Sequence, residues 1–555
     1  MSELPVTVFG PDFPFAYDQW ISHPSGLGSV PDACHGSEVA VIGAGLSGMV
    51  AAWELMKLGL KPVIYETGRM GGRLRSEQFE NAQGVVAELG GMRFPRSATS
   101  FSHYTDLLQL KKRPFPNPLT KAAQSTVIDL AGVQVYAESL DDLPDIYKEV
   151  ANAWDEALKT QAHLIEIQDA IRNRDVDSLK TLWNELVNVW DDRTFYDFIA
   201  TAPAFKKLSF RHREIFGQVG FGTGGWDSDF RNSMLEILRV VLTECDSNQD
   251  LIIGGSESLP RGLWTHSLTS SPHWAPGTSL SQLHDGATRP GVVKLRRTKH
   301  NQICVTDQYG NQRDFAAVIA TCQSWLLTTS IDTEESLFSQ ALWMALDRTS
   351  YMQSSKTFVM VDRPFWKDRD SRTGRQRMSM TLTDRLTRGT YLFDNGDDQP
   401  AVICLTYSWM ADALKMLPLS IDRRVELALA ALAKIYPDVD IRSHIIGKPI
   451  TISWEADENF LGAFKGTLPG HYRYNRRMYC HFMQAGIPAE QQGIFIAGDD
   501  VSWTPAWAEG AVQTALNAVW GVMHHLGGAC HADNPGPGDL FSQLQPVDLD
   551  SDNCN

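Results

Sequence analysis

The sequence predicts an α/β fold, α+β in part, in which a parallel-sheet domain is assembled from separated pieces and a second domain of mixed sheet and helices is inserted between them. Three observations predict it. The stretch Val39 to Glu66, VAVIGAGLSGMVAAWELMKLGLKPVIYE, reads as strand, glycine turn, helix and second strand. A mainly helical region, 100–250, then interrupts the alternation of strands and helices. A last strand, glycine and small-residue helix, Gly493 to Gly527, returns near the end of the chain.

Residues 1–37, rich in Pro, Gly and aromatics, read as an irregular arm packed on the body. Val39 to Ile42 is a short apolar run suited to a central parallel strand buried on both faces. Gly43, Gly45 and Gly48, with Ala44 between the first two, spell G-x-G-x-x-G. The first glycine permits a tight turn, the second lets a pyrophosphate approach the backbone, and the third lets helix and strand pack closely. Met49 to Leu58 continues as a helix whose first amides and dipole suit a phosphate. Val63 to Tyr65 form the next strand, and Glu66 ends it where an acid can bind a ribose hydroxyl. The whole unit is a Rossmann-like dinucleotide site. Alone it does not choose between nicotinamide and flavin dinucleotides.

Residues 38–99 complete the first piece of this domain. Gly71 and Gly72 allow close approach, and Arg73 and Arg75 suit a pyrophosphate; a basic surface turn is the alternative. In VVAELGGMRFP, Gly91, Met92 and Phe94 surround Arg93. An arginine between apolar neighbours points into a protected place and needs an anion there.

The segment 100–250 shows helical periodicity at Leu143 to Lys159 and Ser178 to Trp190. The glycine-rich loop Gly217 to Phe230 is a place of close approach; it carries Asp227 and Asp229 and precedes a helix at Ser233 to Thr243. Residues 251–329 return to α/β character, with strands in GVVKLRR, ICVTDQYGNQ and AAVIATC. Residues 330–485 are mixed and form a substrate-binding domain. Residues 486–530 hold the final piece of the first domain, and 531–555 read as a loosely held tail.

The net charge of −16 over 555 residues argues against general binding to nucleic acid or anionic membranes. The eight cysteines are scattered without C-x-x-C, which suggests neither a disulfide framework nor a metal site, and fits a reducing cytoplasm. No signal peptide is visible, and no apolar run reaches the ~20 residues of a membrane span.

Four separated blocks, GxGxxG…E, GGR, ELGGMRFP and IFIAGDD…EGAVQTALNA, resemble the flavin amine oxidase family. Longer blocks, including TVFGPDFPFAYDQW, GFGTGGWDSDF, YMQSSKTFVMVDRPFWKD and SWTPAWAEGAVQTALNAVWG, resemble its bacterial L-lysine 2-monooxygenase branch. The resemblance implies the two-domain architecture of the amine oxidase and glutathione reductase type, an FAD-binding domain with an inserted substrate domain. It implies FAD as cofactor, held by Gly43, Ala44, Gly45, Gly48, Glu66, Gly72, Arg73, Arg75, Gly91, Met92, Arg93, Val292, Gly498, Asp499 and Val512.

On the same resemblance, Arg93 binds the substrate carboxylate, and Lys356 sits near the flavin N5 to orient water or dioxygen. Trp507, Tyr407, Trp409 and Phe464 are candidates for an aromatic cage, and Cys245 for its border. Asp229 is expected to pair with a substrate ε-ammonium, with Asp227 its rival and a solvated acid the alternative. The implied partners are an L-amino acid and O2, and a homodimer or homotetramer is expected. The implied reaction starts with hydride transfer from Cα to flavin N5. Retention of the imino acid leads to decarboxylation and 5-aminopentanamide, CO2 and water from L-lysine; its escape gives a 2-oxo acid, ammonia and H2O2. A non-catalytic FAD-binding protein is the reading of a different class.

Overall fold

A computed structural model describes residues 4–219, 230–269 and 271–549. Glu38–Ile42 is the middle strand of an all-parallel five-stranded sheet. The strand order is Arg289–Pro290, Lys61–Glu66, Glu38–Ile42, Val318–Ala320, Ile494–Ile496. Three separated stretches of chain therefore build one sheet. Alternate residues of the central strand enter different cores. Val39 and Val41 pack with the helices Leu46–Lys57 and Ala508–His525. Ala40 and Ile42 pack with Val292, Leu295 and Val305 of a small sheet that covers the opposite face. Burial on both sides explains the unbroken apolar run.

The helix after the glycine turn begins at Leu46, directly after Gly45, not at Met49, so Gly48 lies inside its first turn. A Cβ on Gly48 would stand 2.0 Å from the Gly43 carbonyl oxygen. The missing side chain is what lets this helix lie against the turn.

The second domain centres on a seven-stranded mixed sheet: Ile445–Ser453, Ser354–Val361, Ala401–Trp409, Gly389–Phe393, Met380–Thr383, Thr126–Leu130, Val133–Ala137. Its last two strands come from the region read as helical. Ala131 and Gly132 both take positive φ, 52° and 77°, which is the twist a two-residue hairpin needs. Two short strands, Lys112–Pro114 and Gln249–Ile252, pair with each other at its two ends, and the described residues between Asp145 and Leu242 are mainly helical. Val176–Trp190 buries Leu179, Trp183, Leu186, Val187 and Trp190 along one face, and Asp175 caps it by accepting from the Ser178 amide at 3.1 Å.

The N-terminal arm is anchored by buried Phe9, Phe13, Phe15 and Trp20. Its Asp12 accepts from Arg239 Nε at 2.6 Å and from the Trp183 indole at 2.9 Å, all buried. The tail differs from expectation. Residues 531–549 are packed down: Asn534 donates to the Trp20 and Gly26 carbonyls at 3.0 and 2.9 Å, and Leu544 is buried. Side-chain amide bonds to backbone carbonyls hold it, a device that its Pro-, Gly- and Asp-rich composition does not reveal. Among the described residues no helix is long and apolar enough to cross a membrane.

Candidate active site

The carboxyl ends of all five parallel strands open onto one cavity of about 490 Å³. This is where an open parallel sheet binds ligands, because the chain leaves the strand ends in different directions and parts there. Gly43, Glu66, Val292, Cys322 and Gly498 line this floor, and the cavity continues to Arg93, Lys356 and Trp507. A volume of this size is ordinary for a ligand or cofactor site.

At the floor, Gly43 takes φ 108°, a conformation that favours glycine. Gly45 precedes the Leu46–Lys57 helix and offers that helix no side-chain cap. A Cβ on Gly45 would meet nothing nearer than Gly72 Cα at 3.9 Å, so the backbone is open to the cavity. Uncapped first-turn amides at a bare turn are an anion site. Glu66 braces the turn: its carboxylate accepts from the Ala44 amide at 2.7 Å and from the Gly68 amide at 2.8 Å. Burial raises its pKa above the usual carboxylate range, while these amides oppose the rise.

Arg73 and Asp499 form a largely buried ion pair, and Arg73 also donates to the Ala463 carbonyl at 3.1 Å. The Asp499 carboxylate accepts from the Ala506 amide at 3.2 Å. This pair ties the first and last pieces of the nucleotide domain together in the cavity wall. The floor, the uncapped helix and this pair fit a flavin dinucleotide.

Lys356 is the third residue of the Ser354–Val361 strand, 2 % exposed. Its ammonium donates to the carbonyls of Glu88 at 3.1 Å and Gly90 at 2.6 Å. Burial pushes its pKa down to about 8. Arg93 sits among aromatic rings, with its guanidinium carbon 4.9 Å from the ring centres of Phe115 and Tyr391 and 5.7 Å from that of Tyr407. It donates to the Tyr391 hydroxyl, and its buried Nε has no partner. No carboxylate pairs with it among the described residues. Rings offset part of the cost of such a cation, but the open donor geometry is that of a receptor for a carboxylate.

The structure brings together, in the cavity wall, Gly43, Gly45, Glu66, Gly72, Arg73, Gly91, Met92, Arg93, Val292, Lys356, Tyr407, Trp409, Phe464, Gly498, Asp499 and Trp507. Other expected residues stand back from it. Ala44 turns its amide to Glu66, and Gly48 is a packing glycine. Arg75, two positions on from Arg73, reaches Asp457 at 3.5 Å and does not line the cavity. Val512 is in the core, because the apolar face of its helix packs under the sheet. Cys245 is fully buried beside Thr243. Asp227 and Asp229 lie outside the described residues.

Three contributors were not read from the sequence. Tyr391 could have been: in TYLFD it shares a strand face with Phe393, pointing into the core that receives Arg93. Glu236 and Asp246 also line the cavity. They carry no local signal, since acids at the end of a helix are usually solvated.

The fold and this site together are those of an FAD-dependent oxidoreductase. The chain belongs to the flavin containing amine oxidoreductase family, whose model matches residues 46–523. It is 30% identical over 546 residues to a tryptophan 2-monooxygenase of Pseudomonas savastanoi, covering 92% of this chain and 93% of that protein. Among solved structures it is similar to a putrescine oxidase variant, with a TM-score of 0.65 at 17% identity over 88% of this chain and 99% of the other. Cyclohexylamine oxidase from Brevibacterium oxydans is similar at a TM-score of 0.63 and 16% identity, over 88% of this chain and 99% of that one.

Proposed function

We propose that the protein is an L-amino-acid 2-monooxygenase whose substrates are basic amino acids, L-lysine foremost, and which converts lysine to 5-aminopentanamide, CO2 and water. The observation that carries the amino-acid part is Arg93, a sheltered cation without a carboxylate partner among the described residues, in the same cavity as Lys356. A simple amine would leave that guanidinium unpaired. The likeness to tryptophan 2-monooxygenase supports the same reaction type. The resemblance of the long sequence blocks to the lysine branch supports the basic side chain.

FAD, when bound, accepts the hydride from the substrate's Cα and passes the electrons to dioxygen. Gly43 and Gly45 with the helix amides would hold its pyrophosphate, Glu66 its ribose, and Asp499, oriented by Arg73, the far side of the cofactor. Arg93 takes the substrate carboxylate through parallel N–H donors and so orients Cα. No histidine lines the cavity among the described residues, and the α-amine reaches its neutral form by losing a proton to solvent. Lys356, with a proton it holds only to about pH 8, can orient water or dioxygen and stabilise charge that develops there. Trp409, Phe464 and Trp507 keep water from the oxidised substrate. Retention of that intermediate favours the amide; early release would make the enzyme an oxidase yielding 2-oxo acid, ammonia and H2O2.

The test is anaerobic mixing with L-lysine, L-ornithine, L-arginine, L-tryptophan and L-phenylalanine while flavin absorbance is followed, with mass analysis of products after O2 is admitted. Bleaching by lysine and recovery of the amide are expected. Bleaching by the aromatic amino acids alone would overturn the basic-substrate reading, and no bleaching at all would leave a non-catalytic flavoprotein.

A further inference from the structure

Five carboxylates stand in the cavity wall: Glu66, Glu236, Asp246, Glu458 and Asp499. Four are met by a cation, by amide donors or by solvent. Glu66 holds two backbone amides and Asp499 holds Arg73. Glu236 accepts from the Asn232 side chain at 2.8 Å and from the Thr467 amide. Glu458 is exposed to solvent.

Asp246 is different. It lies on the turn between the Met234–Leu242 helix and the Gln249–Ile252 strand. That strand pairs with Phe94–Pro95, Phe94 opposite Asp250, so the turn is tied to the wall that carries Arg93. The Asp246 carboxylate has one hydroxyl near it, Ser247 Oγ at 3.4 Å, and no cation within salt-bridge distance among the described residues. The charged neighbour that acts on it is another acid, Glu244, and burial with that neighbour pushes the carboxyl up to about 7. A carboxylate in a sheltered wall without a cation is costly and is stabilised when a cation arrives.

We propose that Asp246 is the specificity residue for basic side chains, its carboxylate receiving the terminal cation of the substrate while Arg93 receives the carboxylate. This deepens the reading above and rests on it. With both ends held, the methylene stem lies along the aromatic wall, where a neutral side chain would leave Asp246 without its cation.

The experiment compares L-lysine with L-norleucine, which lacks the terminal amine, by anaerobic flavin reduction in the wild-type holoenzyme, Asp246→Asn and Asp229→Asn. The ratio of kcat/KM for lysine to that for norleucine should fall at least about thirtyfold in Asp246→Asn, chiefly through the KM for lysine. In the wild type the apparent Kd for lysine should tighten relative to norleucine between pH 6 and pH 8, as Asp246 ionises; this needs no variant and stands if Asp246→Asn fails to fold. An equal loss for both amino acids, or discrimination lost only in Asp229→Asn, or a pH-independent ratio in the wild type, would overturn the assignment. A wild-type enzyme that no basic amino acid reduces would overturn both this and the proposed function; an active one that keeps its preference in Asp246→Asn would overturn this alone.

Discussion

Lys356 and Tyr407 face one another across two antiparallel strands, and the lysine ammonium lies 4.7 Å from the centre of the tyrosine ring. The ring covers the cation and helps keep water from it, and burial lowers its pKa to about 8. The oxygen-dependent half of turnover should therefore slow as pH rises through about 8, when the ammonium loses its proton. Lys356→Met should slow that half at least about a hundredfold at pH 7, lack the alkaline limb, and leave anaerobic flavin reduction within about threefold. Stopped-flow mixing of the reduced enzyme with O2 across pH 6–10 reads all three. The folded pKa lies below the solution value, so the residue's contribution to stability is present at high pH and lost as pH falls through about 8. Wild type should accordingly gain thermal stability relative to Lys356→Met between pH 7 and pH 9.

Arg93 pairs with no carboxylate among the described residues, and the proposed function gives it the carboxylate of the substrate. Arg93→Met should raise the apparent Kd for L-lysine by about a hundredfold or more, as expected when a charged hydrogen-bonding partner is removed. FAD content should stay near wild type. Cadaverine, which has no carboxylate, should be affected far less. A comparable loss for cadaverine in the same anaerobic titration would mean that Arg93 shapes the cavity instead.

Two glycines of one motif should fail differently. Gly45→Ala places a methyl where the apoprotein has room, 3.9 Å from Gly72 Cα, but in the path of the cofactor. The melting temperature of apoprotein should hold while the Kd for FAD rises about tenfold or more. Gly48→Ala drives a methyl to 2.0 Å from a backbone oxygen, and should cost about 1–3 kcal/mol of stability even without FAD. Paired thermal melts and flavin titrations separate the two.

Breaking the Arg73–Asp499 pair should expose its cost. Asp499→Leu leaves a buried guanidinium without its acid and should destabilise the apoprotein by about 3–5 kcal/mol. Arg73→Met combined with Asp499→Leu should recover most of that loss, yet neither protein should bind FAD as wild type does. Denaturant unfolding of apoprotein, followed by FAD binding to the folded fraction, tests both arms.

Much of the fold was legible because its signals are local. The Val39–Glu66 unit announces itself by an apolar run, glycines at fixed spacing and a terminal acid, each demanded by backbone geometry within a few residues. Amphipathic helices such as Val176–Trp190 are visible for the same reason, since one face repeats along the chain. The Thr126–Ala137 hairpin was not visible within a helical region, because its place in the seven-stranded sheet depends on Met380–Thr383, far along the sequence. The tail was misread because its anchors are single contacts to distant carbonyls.

The site divides along the same line. Glycine spacing and the apolar run were enough for a dinucleotide domain, while FAD and the roles of Arg93 and Lys356 came from the resemblance of the separated motifs to a known family. Only the tertiary structure decided that Arg73 enters the cavity while Arg75 turns away to Asp457, that Cys245 is core, and that its neighbour Asp246 faces the cavity with no cation paired to it among the described residues. The physical reason is that a charge is defined by what surrounds it. The types and spacing of residues are written in the chain, but the partner that neutralises or fails to neutralise a buried group comes from segments that meet only after folding.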